Sequence, residues 1–178
     1  MSSLEFRSLP RLAATLALAA GLAACFRPLY GPTASGAPLP AVLASIEVDE
    51  VAVPPTLERL SHYLRSELVF NLNGSGVPAP KRYKLALAFA SRLDMPIVDT
   101  ASGRAQAATL VGDVTYTLTT LDGSQTITTG KVQGSASYDR NVQRFATVRA
   151  ARDAEIRLAR LLADQVRTRV AVAVSNRV

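Results

Sequence analysis

The single cysteine, Cys25, stands where covalent lipid attachment is expected. It follows Leu22-Ala23-Ala24, and a leucine three positions before a cysteine, with small residues between them, is the site that a lipoprotein signal peptidase needs. Cleavage would make Cys25 the mature N-terminus, with a diacylglyceryl group on its sulfur and a fatty acyl group such as palmitate on its nitrogen. The alternative is an unmodified, small, buried residue. No internal disulfide is possible with one cysteine.

The residues before Cys25 have the pattern of an export signal. Arg7 and Arg11 give a basic start, and Leu12–Ala24 is an apolar run. This run is shorter than the roughly 20 residues that span a bilayer. The sequence therefore predicts a lipoprotein signal peptide over 1–24, and attached acyl chains are enough to anchor the mature protein.

Residues 25–42 are rich in proline and glycine, which disfavour helices and strand ladders. They predict an extended tether from the lipidated cysteine. The remaining residues, 43–178, are long enough for one domain with its own hydrophobic core. We therefore expect a signal peptide, a tether and one folded domain.

Enzymatic chemistry is not indicated. The one histidine, His62, neighbours Ser61 on a predicted helix, where adjacent residues point in different directions and cannot form a nucleophile and base pair. One histidine and one cysteine make no usual zinc site. The segment from Gly74 to Ala79 matches a GxGxxA pattern, but it follows a helix and contains Pro78, so a dinucleotide site is rejected. No metal or cofactor is predicted beyond the covalent lipid on Cys25.

The charge balance points to an anionic ligand. The chain has a formal net charge of +6, and an exported protein with no aromatic RNA-binding strand motif is not expected to bind nucleic acid. A cluster of cations at the start of a predicted strand, with two further cations on other strand positions, forms a candidate phosphate site for a glycolipid headgroup. Solvated surface charges are the alternative. The candidate residues are Lys81, Arg82, Lys84, Arg92 and Lys131.

Hydrophobic periodicity predicts an α/β (α+β) fold with the element order β-α-β-β-β-α. We expect a two-layer sandwich in which two helices pack on one face of a four-stranded mixed sheet. The predicted strands are 43–53 with a bulge near Glu50, 83–93, 109–121 and 125–138, and Asp122-Gly123 forms a hairpin turn. The predicted helices run from an N-cap at Thr56 to Asn73-Gly74, and over 147–174.

Each strand alternates between apolar and polar side chains, so the sheet should have two unlike faces. The apolar face should meet the helices, including the final helix through a stripe that holds Val148, Ala151, Leu158, Ala159, Leu162, Val166 and Val170. The polar face, with Thr115, Thr117, Thr119, Lys131, Gln133 and Ser135, should have no cover within the chain.

The residues after the cysteine carry a family resemblance. Cys25 followed by Phe26-Arg27-Pro28-Leu29-Tyr30-Gly31 resembles the start of the LptE (RlpB) family of lipopolysaccharide-assembly lipoproteins in its alphaproteobacterial form. Many members have a glycine directly after the cysteine, where this chain has Phe26. That difference leaves the lipidation site intact.

The resemblance implies the predicted two-layer architecture and a location on the periplasmic side of the outer membrane, where the lipid is the anchor. Phe26, and not aspartate, following the cysteine agrees with outer-membrane delivery. The resemblance also implies work with the β-barrel LptD in lipopolysaccharide transport, with direct binding of lipopolysaccharide as a further possibility. The alternative is a free-standing lipoprotein that binds or carries an anionic lipid in the periplasm. Co-purification with a large β-barrel would separate the two.

Overall fold

A four-stranded mixed sheet forms the centre of the computed structural model, which describes residues 33–51, 53–74, 79–95, 106–140 and 142–177. These residues lie in one compact unit, Pro32–Val178. The predicted signal peptide, Cys25 and the first part of the predicted tether lie outside the described residues. The elements are α1 (Leu39–Ala44), β1 (Ile46–Val48), a 3-10 turn (Pro55–Leu57), α2 (Glu58–Leu72), β2 (Tyr83–Asp94), β3 (Ala107–Thr120), β4 (Thr126–Asp139) and α3 (Arg144–Arg177).

The strand order is β1-β2-β3-β4, with β1 parallel to β2 and the other neighbours antiparallel. A parallel pair requires a crossover, and α2 supplies it between β1 and β2. The β3–β4 hairpin turns at Gly123, whose φ of 74° is in the left-handed region that glycine tolerates. The predicted mixed sheet with helices packed on it is confirmed.

The start of the domain differs from the prediction. Residues 39–44 form the helix α1 and not the end of an extended tether, and β1 covers only Ile46–Val48 instead of 43–53. No bulge lies near Glu50, because the strand ends before it. The prolines do not oppose α1, since Pro38 precedes the helix and Pro40 lies in its first turn. Leu39, Val42 and Leu43 are buried, so this helix belongs to the core.

The helix boundaries also differ from the prediction. Thr56 lies in the 3-10 turn and not at an N-cap, since α2 begins at Glu58 after Leu57 with no side-chain cap. The last helix begins at Arg144, earlier than the predicted Thr147. Its buried residues run from Ala154 to Val174, whereas Val148, which was predicted to be in the core, is 58% exposed.

Two glycines allow α3 to approach the sheet closely. Gly112 on β3 pairs with Gly134 on β4. A Cβ at Gly112 would lie 3.1 Å from a methyl group of Leu158 and 3.1 Å from one of Leu162. A Cβ at Gly134 would lie 2.9 Å from a methyl group of Leu161. The leucines of α3 therefore pack directly against the strand backbones, which contributes dispersion contacts that larger residues would prevent.

The outer edge of β4 is closed by side chains from α3. Arg157 donates to the carbonyl of Ser137 at 2.9 Å, Gln165 to that of Gln133 at 3.3 Å, and Arg169 to that of Lys131 at 3.2 Å. Arg177 donates to the carbonyl of Ile127. These donors occupy carbonyls that would otherwise be free to pair with another strand.

Candidate functional surfaces

One face of the sheet has no helix over it among the described residues, and we call it the open face. The helices pack on the other face, where Leu85, Leu118 and Val132 are fully or almost fully buried. Alternation and strand register place small and polar side chains on the open face. They are Lys84, Ala86, Ala88, Ala90, Arg92 and Asp94 from β2, Thr109, Asp113, Thr115, Thr117 and Thr119 from β3, and Thr129, Lys131, Gln133, Ser135 and Ser137 from β4. Val111 of β3 lies on the same face but is apolar and buried.

Hydroxyl groups pair with each other across the strands of the open face. The Oγ atoms of Thr109 and Ser137 are 2.8 Å apart, and those of Thr117 and Thr129 are 3.2 Å apart. Thr129 also donates to the carbonyl of Tyr116 at 3.1 Å. Such groups can hydrogen-bond to water or to a polar partner with little desolvation cost. The face is suited to a polar environment and not to a lipid core.

Two of the predicted anion-site residues meet on the open face, around one carboxylate. The Lys131 ammonium lies 3.0 Å from Asp113, and the Arg92 guanidinium lies 3.8 Å from Asp113 and 3.4 Å from Asp94. The two cations are therefore partly compensated by carboxylates. Their net attraction for an anion is therefore smaller than that of two unpaired cations.

The other three predicted anion-site residues lie at the start of β2. Lys81 donates to the carbonyls of Ala44 and Ile46, at 2.9 and 3.0 Å, and so links the chain around α1 and β1 to β2. Lys84 forms an ion pair with Asp49 at 3.0 Å. Arg82 is exposed, and no side-chain partner of Arg82 is found among the described residues.

The Lys84–Asp49 pair affects the titration of both groups. The hydrogen bond between the two side chains lowers the pKa of Asp49 and raises the pKa of Lys84. Each group is thus held in its charged form by the other. Lys84 already has an anionic partner within the chain.

The five predicted residues do not form a single patch. Lys84 and Arg92 are eight residues apart on β2, which at about 3.3 Å per residue separates them by roughly 26 Å. Lys81 bonds to the carbonyls at the end of α1 and the start of β1, whereas Arg92 and Lys131 flank Asp113. Anion binding at these residues stays a prediction, distributed over two places.

A second basic surface, which the sequence reasoning did not identify, lies where β2 and β4 end and α3 begins. We call it the arginine-rich end. Four exposed arginines alternate there with exposed apolar side chains, of which Phe145 is 76% exposed and Val142 is 84% exposed. Its residues are Leu93, Met95, Arg140, Val142, Arg144, Phe145, Val148, Arg149 and Arg152.

The arginines of this end contact neutral groups. Arg140 reaches the sulfur of Met95 at 2.9 Å, Arg149 lies 6.0 Å from the Phe145 ring centre, and Arg152 donates to the Tyr63 hydroxyl at 3.1 Å. Among the described residues, no carboxylate lies within 4.0 Å of any of these three or of Arg144. Within the ranges that the structure describes, local ion pairs thus do not compensate these four positive charges.

Two carboxylates, Asp139 and Asp153, lie close to this surface in the sequence, but the surface stays basic. Asp139 is the last residue of β4. Asp153 forms an ion pair with Arg157 at 2.7 Å, so the charge of Asp153 is already compensated. The first turn of α3 contains no acidic residue. Guanidinium groups bind phosphate through paired hydrogen bonds, and apolar side chains beside them can contact alkyl chains. The arrangement suits an amphipathic, phosphorylated lipid.

The sequence contains the residues of the arginine-rich end, but the predicted helix start and the predicted core position of Val148 conceal them. The helix was predicted to begin at Thr147, which excluded Arg144 and Phe145, and Val148 was placed in the core. Phe145, Val148, Arg149 and Arg152 lie within about 100° of one another on a helix with 3.6 residues per turn. An earlier helix start would have shown a mixed arginine and apolar stripe.

The surroundings of the one histidine contain no catalytic arrangement. The Ser61 hydroxyl donates to the carbonyl of Glu58 at 2.9 Å, and the exposed His62 ring lies beside Tyr63. The described ranges hold no group of three or more His, Cys, Asp or Glu residues placed to bind a metal ion. Within the same ranges, no helix combines the length and apolarity needed to cross a membrane.

Two solved structures of bacterial proteins described as lipoproteins are similar to this chain. A Caulobacter crescentus CB15 protein described as a lipoprotein shares 24% identity and a TM-score of 0.56, over 75% of this chain and 93% of that one. The minor lipoprotein of Acinetobacter baumannii shares 19% identity and a TM-score of 0.43, over 73% and 87% of the two chains. The Caulobacter similarity shows a shared fold. No curated protein sequence matches the chain.

The family follows from a sequence match. The family model described as "LptE: Lipopolysaccharide-assembly" matches residues 43–170. The chain belongs to the LptE family of lipopolysaccharide-assembly proteins, as its lipidation motif and the residues after it predicted.

Proposed function

We propose that this protein is a lipid-anchored outer-membrane lipoprotein that works with an LptD-like β-barrel to deliver lipopolysaccharide to the cell surface. Family membership over 43–170 supports the role in lipopolysaccharide assembly. Leu22 to Cys25 supports the anchor, with the acyl groups on Cys25 holding the protein on the periplasmic side.

The open face is the observation that carries the proposed barrel partnership. Its threonine, serine and glutamine side chains are uncovered within the described residues, and a water-filled barrel lumen is lined by polar groups that can pair with them. Small residues such as Ala86, Ala88 and Ala90 let another surface approach the strands closely. In this arrangement the open face contacts the barrel wall, and the helices lie on the opposite side of the sheet.

Purification of the full-length chain from detergent-solubilised outer membranes tests this partnership. A large β-barrel is expected to co-elute and to be identified by mass spectrometry. Recovery of the lipoprotein with anionic lipid and no barrel would favour the alternative, a free-standing carrier.

We assign direct contact with the glycolipid to the arginine-rich end. It combines exposed Phe145 and Val148 with four guanidinium groups that have no ion-pair partner among the described residues, whereas Lys81, Lys84, Arg92 and Lys131 already have partners in the chain. Phosphates of lipopolysaccharide would meet the arginines, and its acyl chains would meet the apolar side chains.

Charge reversal separates the two basic surfaces. The double variant Arg144→Glu with Arg149→Glu is expected to weaken binding to phosphorylated lipopolysaccharide about tenfold or more, since a hydrogen bond to a charged group contributes about 1.5–3 kcal/mol. Its binding should also depend less on salt. Binding by full-length protein in detergent is measured as a function of ionic strength.

The matched control is Arg82→Glu with Lys84→Glu, which reverses two charges at the start of β2 while keeping the structural bonds of Lys81. Both variants must keep the circular dichroism of the wild type. If the control loses affinity and the α3 variant does not, the glycolipid binds at the residues first predicted, and the assignment to the arginine-rich end is wrong.

A further inference from the structure

A cleft of about 350 Å³ lies between the end of β4 and the first turns of α3. We call it the β4–α3 cleft, and it shares no residue with the arginine-rich end. Its walls carry an aromatic ring, carboxylates and a guanidinium group. The described residues that line it are Ser137, Tyr138, Asp139, Ala150, Asp153 and Arg157.

The strand side of the cleft offers a ring and backbone groups. Tyr138 follows the buried Ala136 on the face of β4 that meets the helices, and Tyr138 itself is only half-buried. The Ser137 carbonyl accepts from Arg157 at the outer edge of β4. The N–H and C=O groups of Asp139 point to the same edge, because alternate residues of a strand share a direction. A flat aromatic surface therefore lies beside backbone donors and acceptors.

The helix side of the cleft offers a small residue and an ordered charged pair. Ala150, Asp153 and Arg157 are three and four residues apart, so they lie on one side of α3. The Nε of Arg157 donates to Asp153 at 2.7 Å, and its Nη2 donates to the Ser137 carbonyl at 2.9 Å. The two bonds fix the guanidinium group. The Asp153 side chain is 66% exposed, so its carboxylate is accessible to a ligand.

A second cleft lies next to the first and contains two residues of the arginine-rich end. It has a volume of about 600 Å³ and is lined by Arg149, Ala150, Arg152, Asp153 and Ile156. Ala150 and Asp153 border both clefts. A ligand whose phosphate binds Arg149 or Arg152 can therefore place the neighbouring part of the same molecule in the β4–α3 cleft.

A sugar ring matches the groups of the β4–α3 cleft. One face of the ring carries C–H groups that pack on an aromatic side chain, and its rim carries hydroxyl groups that donate and accept hydrogen bonds. A carboxylate accepts such bonds and a guanidinium group donates them. A phosphate gains less here than at the neighbouring arginines, because Arg157 is already paired with Asp153. An acyl chain would leave these polar groups without partners.

We propose that the β4–α3 cleft binds a sugar ring of the glycolipid whose phosphates bind the arginine-rich end. Tyr138 stacks on the ring, and Asp153 and Arg157 bind its hydroxyl groups. The inference rests on the proposed glycolipid role and extends it from phosphate recognition to saccharide recognition. A lipid that has the phosphate and lacks the sugar uses the arginines alone.

Removal of Asp153 separates sugar recognition from charge attraction. Asp153→Ala leaves Arg157 unpaired and adds one positive charge beside Arg149 and Arg152, so binding through phosphate alone should strengthen. For lipid A, a phosphorylated glucosamine disaccharide, the proposal predicts the opposite, an affinity lower by about threefold or more. The affinity for phosphatidic acid, which has the phosphate and no sugar, should stay the same or rise. Calorimetric titration of full-length protein in detergent measures both.

Two further variants complete the test. Tyr138→Leu keeps an apolar side chain but removes the ring, and it should lose affinity for lipid A and not for phosphatidic acid. Asp164→Ala is the matched control, because Asp164 is an exposed aspartate of the same helix that lines neither cleft. It removes the same charge and should leave the lipid A affinity unchanged. All variants must keep the circular dichroism of the wild type.

Unchanged or higher lipid A affinity in either Asp153→Ala or Tyr138→Leu would overturn the proposal. An equal loss for lipid A and phosphatidic acid, or an equal loss in Asp164→Ala, would overturn it as well. Failure of the underlying assignment has a different signature: Arg144→Glu with Arg149→Glu would then keep its affinity for both lipids.

Discussion

The Cys25→Ala variant is expected to lose lipidation and signal cleavage together. The sulfur of Cys25 is the atom that would carry the diacylglyceryl group, and the linked peptidase acts before a lipidated cysteine. Without the acyl chains, each buried CH₂ of which contributes about 0.8 kcal/mol, the stable anchor is lost. Intact mass spectrometry and membrane fractionation should show a larger, unlipidated precursor or soluble protein.

The control for this variant is Phe26→Ala, which keeps Leu22-Ala23-Ala24-Cys25 unchanged. It should be lipidated and should fractionate with membranes. Unchanged mass and equal partitioning of Cys25→Ala and wild-type protein would show that Cys25 is not the anchor.

The Leu162→Ala variant is expected to lose about 2–5 kcal/mol of unfolding free energy. Leu162 is fully buried on α3 and lies over the paired glycines Gly112 and Gly134, where the rigid strand backbones cannot collapse into the space left. Denaturant unfolding of the non-lipidated protein measures the change.

Arg160→Ala is the control two positions away on the same helix. Arg160 forms an exposed ion pair with Glu67 at 3.0 Å, and such pairs contribute under about 1 kcal/mol. A larger loss for Arg160→Ala than for Leu162→Ala would mean that the buried and solvent faces of α3 are reversed.

Alternating polarity was sufficient to predict the sheet. Side chains on β2 change between Leu or Phe and Ala or Lys at every step, and burial follows this alternation from Leu85 to Ala90. The turn at Gly123 and the stripe from Leu158 to Val170 were also predictable, because local patterns determine them. These elements make the layer order and the open face predictable as well.

The misplaced elements depended on contacts that a local pattern does not contain. The prolines around α1 were interpreted as breakers, although buried Leu39 and Leu43 hold the helix in the core. The first turns of α3 look like a core helix in sequence, yet α2 does not cover them in the way it covers the later turns. Val148 is therefore exposed.

The sequence was sufficient to identify the cations of the candidate anion site, but not the carboxylates with which they form ion pairs. Asp113 meets Lys131 from a neighbouring strand, and Asp49 meets Lys84 over a sequence separation that only the fold determines. The same limit hid the arginine-rich end, whose distinguishing property is that its four arginines form no ion pair with a carboxylate of the described ranges. Charge compensation is a tertiary property, and counting cations in the sequence cannot give it.

Photo-crosslinking from the open face tests the proposed partnership most directly. Crosslinkers at Thr117 and Gln133, on full-length protein in cells, are expected to capture an LptD-like β-barrel. A crosslinker at Ser66, exposed on α2, should capture it much less. Crosslinks to the barrel from Ser66 alone, or from none of the three positions in membranes that contain the barrel, would contradict the account.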